Sequence, residues 1–455
     1  MADLAEVDRV RRPQNPVIRR TNQWLQKLVE DKHVLYDTNV AERIRFSTKV
    51  PQCLFCRGTK MLCGKSACPV LVHFYSIVQA PSFALDLSVE GSCPPEIFVG
   101  RFGYPKVFVG PMVPPLTSDT SLLSTPELWF GKSIREVIDM RSQLVRGKHL
   151  VNIHAPAKGI DRISGMVQEL GLASAPSDSE MILTKKPTGT LTFSDNFLPF
   201  GPSAPIKNLE IGDYKVVKPI EKAFYDTDMK AEEGVLNAYR EGVRFSAIQR
   251  AFSVGVFGES KRRRFVPTRW SITAVDSIIS NSLMRGVRKN PLTDGYQVYE
   301  ADNLSNRYLV LMMPDAWRYE WIEAWYPKTA WNPGAQTVIY GDHEAFHGRT
   351  TYSDMGGCYY SVRLAAAEKL NQLRRQAAVV ALREAYPGYM LPVGVWHARE
   401  GVRAALRSTP RKFSNLKDTL YYISTRLKTP LDTWIEASAL LQQALLQTKL
   451  SSFVR

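Results

Sequence analysis

Apolar residues recur at helical spacing along several stretches of the chain and run together, as strands do, along others. Residues 134–144 and 160–170 place apolar side chains three and four apart, and each is predicted to form an amphipathic helix. Residues 228–239 give a third, with Asp228 as its cap and acids in the first turn. Residues 358–385 read as one long helix closed by Pro387-Gly388, and residues 396–407, 416–427 and 431–446 as three more. Residues 83–89, 97–99 and 107–109 are short β-branched or aromatic runs between Gly and Pro, so strands are expected there. Residues 296–301 and 307–313 predict a hairpin around Asn303. Trp317, Trp321 and Trp325 stand four apart and are expected to line one buried helix face. Strands and helices do not alternate regularly, so the expected class is α+β. Its parts are a mixed central domain with short strands, a helical C-terminal third and a small N-terminal knuckle of four cysteines. The organisation expected is a basic arm with a helix over residues 1–50, the knuckle over 51–72, an α+β core over 73–445, and a tail over 446–455.

The chain has 455 residues, 44% of them hydrophobic and 23% charged, which excludes disorder for its bulk. Charge changes the picture: 59 Lys and Arg stand against 44 acids, a net charge of +15. Such a surplus favours a polyanionic partner: DNA, RNA or an anionic membrane. The first eight residues lack a basic stretch followed by an apolar core, and no run approaches the roughly 18 apolar residues of a membrane span. A cytoplasmic protein is expected.

Cys53, Cys56, Cys63 and Cys68 lie within sixteen residues as C-x2-C and C-x4-C pairs. Clustered thiols in a reducing compartment suit a soft metal, and zinc in a closed tetrahedral site is the first reading. The Cys68-Pro69 pair keeps an iron–sulfur cluster as the second. Arg57, Lys60 and Lys65 in the ligand loops suit a phosphate. So do Lys261, Arg262, Arg263 and Arg264, which lie close to Trp270.

At the C-terminus, Gln447, Leu450, Phe453 and Val454 follow the amphipathic helix. A glutamine with apolar residues three, six and seven positions on resembles the PIP box, the peptide that docks on the sliding clamp PCNA. Val454 stands where that pattern has a second aromatic, which is expected to weaken the contact.

The core holds candidate chemistry. His343-Glu344-Ala-Phe-His347 matches the zinc peptidase pattern H-E-x-x-H literally, but Gly341 and Gly348 flank it and a strand-like run precedes it. Arg269, Asp276, Asp342, His343, Glu344, Arg349 and His397 are the candidates for an enzyme acting on DNA or a nucleotide, a reading that requires them to converge in one pocket. His397 also reads as a core histidine. Gly356-Gly357 opening a helix, with Arg349 and Arg363 near, suits an anion or a plain helix start.

With these residues the chain resembles the archaeal NreA DNA repair family over nearly its whole length. The resemblance rests on the four cysteines, the block from Arg269 to Asp276, the block from Gly356 to Tyr360 running into Arg363, and the tail. It implies a part in repair of DNA damage, a zinc finger on Cys53, Cys56, Cys63 and Cys68, and PCNA binding through Gln447, Leu450, Phe453 and Val454. It implies no reaction at the core. DNA and the clamp are thus the expected partners and a membrane is not. Arg9, Arg11, Arg12, Arg19 and Arg20 of the arm join the knuckle and Lys261–Arg264 as the basic addresses.

Overall fold

A computed structural model describes residues 52–58, 60, 62–65, 68, 70–71, 86–189 and 191–446, and the backbone of 46–47. The basic arm apart from residues 46–47, and the tail from Gln447 to Val454, lie outside the described residues. Among the described residues, thirteen α-helices and two mixed sheets make an α+β protein, as expected.

The first described elements are β1 (Phe46–Ser47) and α1 (Gln52–Cys56). Six strands then form one sheet: β2 (Ser88–Cys93), β3 (Ile97–Val99), β4 (Lys106–Val113), β5 (Val145–Asn152), β6 (Ser177–Leu183) and β7 (Ser203–Ile211), in the order β2-β6-β7-β5-β4-β3. Side chains alternate along its strands. Val107, Val109, Val145 and Val151 turn into a core. Phe108 and Leu150, partners in register, turn outward and are exposed. Helix α2 (Ile134–Ser142) sends Val137 and Ile138 into the core of the second sheet, whereas α3 (Ala155–Lys158), α4 (Arg162–Leu172), α5 (Lys218–Tyr225), α6 (Ala231–Arg240), α7 (Phe245–Ser253) and α8 (Thr268–Val287) pack into the core of the first. Helix α6 begins at Ala231 after Lys230, not at Asp228; Asp226 instead accepts from the Asp228 and Met229 backbone N–H groups, and that turn precedes the helix.

The second sheet runs β1-β11-β10-β12-β9-β8-β13, from β8 (Tyr296–Asn303), β9 (Asn306–Met313), β10 (Arg318–Trp325), β11 (Thr337–Glu344), β12 (Ala378–Ala385) and β13 (Arg411–Phe413). The expected hairpin is present, with Leu304 and Ser305 left-handed at its tip. The tryptophan row is a strand. A spacing of four satisfies a two-residue period as well as a helical one, and Tyr319 and Glu323 share that face of β10. Helices α9 (Gly357–Leu373) and α10 (Trp396–Arg407) pack on this side. Ile322 and Ala324 face the other way, against α11 (Leu416–Arg426), α12 (Leu431–Ala437) and α13 (Ala439–Leu446).

Residues 358–385 are therefore not one helix. Arg374 closes α9 in a left-handed cap, and the apolar run that follows is β12, buried along its whole length between two helical layers. The helix expected over 431–446 breaks at Ser438, where Glu320 accepts from the Ser438 hydroxyl and from the Ala439 and Leu440 N–H groups and so starts α13. Helix α8 joins the halves: Val275 and Ile279 enter the core of the first sheet, Met284 and Val287 that of the second. No helix among the described residues is long and apolar enough to cross a membrane.

Candidate nucleic-acid interface

The N-terminus of α8 meets the end of β3, and a basic, aromatic concavity forms around that junction. Thr268 Oγ1 accepts from the Val99 N–H at 2.9 Å and fixes the contact. The loop from Gly100 to Pro105 is pinned by Gly100 N–H to the Phe108 carbonyl, 2.8 Å, and by Lys106 N–H to the Gly103 carbonyl, 2.9 Å. It carries Arg101, Phe102 and Tyr104 outward. Phe102 is 78% exposed, and the Arg101 guanidinium lies 4.7 Å from its ring centroid. The Tyr104 and Trp270 rings lie 5.5 Å apart, and Tyr352 and Tyr360 5.2 Å apart.

Two adjoining hollows share Arg101 and Arg269 as their common wall. The outer one, about 770 Å³, is lined also by Lys60, Trp270, Thr273, Tyr352 and Tyr360. The inner one, about 390 Å³, lies on the outward face of the first sheet among Phe98, Phe108, Arg146, Lys148 and Phe200. No carboxylate lines either hollow among the described residues. Burial lowers the Arg101 pKa from its ordinary value, and repulsion from Arg269 adds to it. Burial also lowers Lys148, helped by Arg146 and Lys185. A cluster of cations that depress one another beside exposed aromatic faces is chemistry suited to a phosphate backbone with unstacked bases.

The residues singled out in the sequence fall in very different places. Arg269 and Lys60 line the concavity. Arg57 does not reach solvent: it plunges from the knuckle into the second sheet, donating to Asp195 at 2.6 Å, Glu323 at 2.6 Å, Tyr340 and the Leu54 carbonyl. Burial works against its charge, but Asp195, Tyr340 and Glu323 together hold its pKa well above the ordinary value. Arg263 is also buried, its guanidinium spent on the carbonyls of Ala223, Phe224, Asp226 and Gly258. Lys65, Lys261, Arg262 and Arg264 are exposed. Arg262 is paired with Glu259 at 3.3 Å.

The enzyme candidates do not converge. Asp276 is buried and paired with Arg399 at 3.0 Å, with Ser361 and Gln249 donating to it. Asp342 accepts from Arg349 and Ser353, both at 2.6 Å. His397 is buried, with Nδ1 on the Gly394 carbonyl and its pKa pushed down to about 3, by burial first and then by Arg383. It is a neutral core histidine. The H-E-x-x-H segment ends a strand and turns at Ala345–Gly348, so the two imidazoles share no helix face. Glu344 is buried, bound by Arg363 at 2.8 Å, Trp317 and Tyr359, and is no general base. The peptidase reading is thereby corrected. Gly356 does open α9 at a positive φ, but Arg363 turns to Glu344.

In the knuckle, α1 presents Cys53 and Cys56, and the chain turns back through left-handed Arg57, Gly58 and Gly64. None of the four cysteines is joined in a disulfide. Burial raises the Cys53 thiol, and Cys68, Cys56 and Cys63 raise it further, which puts those three within electrostatic reach of Cys53. That donor set fits a thiolate-binding ion, although no closed ligand set forms among the described residues.

Sequence reasoning missed Arg101, Phe102, Phe108, Arg146 and Lys148. The available signal was the alternation from Val145 to Val151, with Arg146, Lys148 and Leu150 on one side.

Fold and site together define an α+β protein of two mixed sheets with a basic and aromatic hollow where α8 meets β3, lined by no carboxylate among the described residues. The archaeal Nre N-terminal profile matches residues 62–332, and the archaeal Nre C-terminal profile residues 344–453. The DNA repair protein NreB of Archaeoglobus fulgidus is 38% identical over 392 residues, 86% of this chain and 97% of its own length. NreA of the same organism is 36% identical over 403 residues, 88% of this chain and 98% of its own. NreA of Haloferax volcanii is 33% identical over 327 residues, 70% of this chain and 78% of its own. The chain belongs to the archaeal Nre family. No solved structure matches it.

Proposed function

We propose that this chain is a DNA repair factor that binds DNA through the hollow at the α8–β3 junction and is brought to the sliding clamp PCNA by its tail. The observation that carries the DNA reading is a surface holding Lys60, Arg101, Arg146, Lys148 and Arg269 beside exposed aromatics, with no carboxylate lining it among the described residues. Relatives named DNA repair proteins, aligned over most of the chain, supply the process. The clamp reading is supported by Gln447, Leu450, Phe453 and Val454, whose spacing resembles a PIP box. Zinc held by Cys53, Cys56, Cys63 and Cys68 would staple α1 to the returning loop and keep Arg57 and Lys60 at their posts.

The test of the tether is co-elution with PCNA, expected for the full chain and lost in the Leu450→Ala, Phe453→Ala double variant. Unchanged co-elution of that variant overturns it. Metal analysis is expected to return about one zinc per chain, lost with Cys53→Ser, as a four-thiolate site requires. Zinc that persists in that variant overturns the assignment.

A further inference from the structure

We propose that the inner hollow around Arg146 receives one nucleotide unit drawn out of a DNA strand, its phosphate on the guanidinium and its base against the phenylalanines. This deepens the DNA-binding reading and rests on it.

Arg146 stands on β5, 9% exposed, at the floor of the hollow. Its Nη2 makes one long hydrogen bond, 3.4 Å to the Phe108 carbonyl, and its Nε has no partner among the described residues. The plane of the guanidinium is held against rings, 4.2 Å from the Phe98 centroid and 5.3 Å from that of Phe200. Burial alone pulls its pKa down to about 9; no carboxylate among the described residues offsets it. A buried charge is ordinarily paired or coordinated. A guanidinium buried without an acid, facing an open hollow, is a fork prepared for an anion from outside, and its geometry suits a bidentate phosphate.

The rest of the hollow specifies what carries that phosphate. Its walls are aromatic, from Phe98, Phe102, Phe108, Phe197 and Phe200, and Thr192 and Ser203 offer hydrogen bonds within it. Its volume of about 390 Å³ falls in the range of roughly 300–1,000 Å³ usual for small-ligand sites. Lys148 and Arg269 flank the rim, placed for neighbouring phosphates of the same strand. A stacked and paired base cannot enter a recess, so the strand must be single or the nucleotide turned out of its duplex. A free mononucleotide carries the same chemistry and is the other source.

The test compares the full-length chain with Arg146→Met and Arg146→Lys. The probes are a labelled single-stranded thymidine oligomer of about 12 nucleotides, within the usual range of site sizes, a blunt duplex of the same length, and dTMP. Arg146→Met is expected to weaken single-strand binding by about tenfold or more and duplex binding by less than about twofold, with Arg146→Lys between wild type and Met. Thermal melting of the unliganded variants controls for folding, and Arg146→Met is expected to melt no lower than wild type, because an uncompensated charge has left the interior. Single-strand affinity equal to wild type in a folded Arg146→Met chain overturns the proposal. So does equal loss on duplex and single strand, which leaves Arg146 an ordinary backbone contact and the DNA reading intact. If wild type binds neither DNA form but dTMP raises its melting temperature, and Arg146→Met abolishes that rise, the DNA reading falls and the hollow is a free-nucleotide site.

Discussion

Arg57 and Arg146 are both buried arginines stacked on aromatic rings, and they serve opposite ends. Arg57 lies 5.5 Å from the Trp325 centroid and donates to two carboxylates, Asp195 and Glu323. Those acids are themselves occupied: Trp331 donates to Asp195 at 3.0 Å, and Arg383 to Glu323 at 2.7 Å. Arg146 lies among phenylalanines with no acid beside it among the described residues. The first arginine closes a network inside the protein and docks the knuckle onto the second sheet. The second leaves its network open toward solvent. Burial of a cation therefore does not by itself separate structure from function; the presence or absence of its counter-charge does.

The largest expected effect breaks or sharpens that contrast directly. Arg57→Met strands Asp195 without a counter-charge and leaves Glu323 to Arg383 alone, and removing one partner of a buried ion pair typically costs about 3–5 kcal/mol. Urea unfolding is expected to show that loss for Arg57→Met and none for Arg146→Met. Comparable losses in the two variants would mean that Arg146 is a structural residue too.

Next in size is a pH effect confined to the Arg57 side. His397 is held neutral at a pKa of about 3, against an ordinary 6.5. Between those values the unfolded chain binds the proton that the folded chain refuses. Stability from this group is full above pH 6.5 and falls by about 1.4 kcal/mol for each unit from there down to about 3. His397→Gln removes the term, so the unfolding free energy measured from pH 6.5 down to pH 4.5 is expected to fall less steeply in the variant. Parallel pH profiles would show that His397 takes up a proton in the folded state.

Much of this architecture is legible in sequence, and the failures have physical causes. The hairpin at Asn303 and helices α10 and α11 follow from local pattern, since turn residues and amphipathic spacing are local properties. Residues 378–385 fail because a strand buried on both faces has no alternation, and its alanines suit a helix equally well. The Trp317, Trp321 and Trp325 row fails because a spacing of four fits both periods. Arg57 was misread because a basic residue between metal ligands looks exposed, and its partners stand 138 and 266 residues away in the chain. Arg146 went unseen for the converse reason: its importance lies in what is absent around it, and absence of a partner is a property of the folded surface. Among the candidates for chemistry, Arg269, which Trp270 marks in the sequence, lines both hollows, whereas Asp276, Glu344 and His397 are polar residues that the interior consumes.

The smallest expected effect separates the two hollows at the rim. Lys60 and Trp270 line the same outer hollow, and Trp270 is 45% exposed. A lysine contributes a phosphate contact that ignores base and strandedness. Lys60→Ala is therefore expected to weaken duplex and single strand alike and to lower the slope of log affinity against log salt by about one unit or less. An exposed indole contributes stacking, which needs an unstacked base and is worth about 1–3 kcal/mol where the contact forms. Trp270→Ala is expected to leave the salt slope and the duplex affinity unchanged and to reduce only single-strand affinity. The pair of titrations tells whether the strand enters base-first. If Trp270→Ala weakens both forms equally, the outer hollow reads only backbone, and any unstacked nucleotide that reaches Arg146 arrives from the side of Phe102 and Phe108.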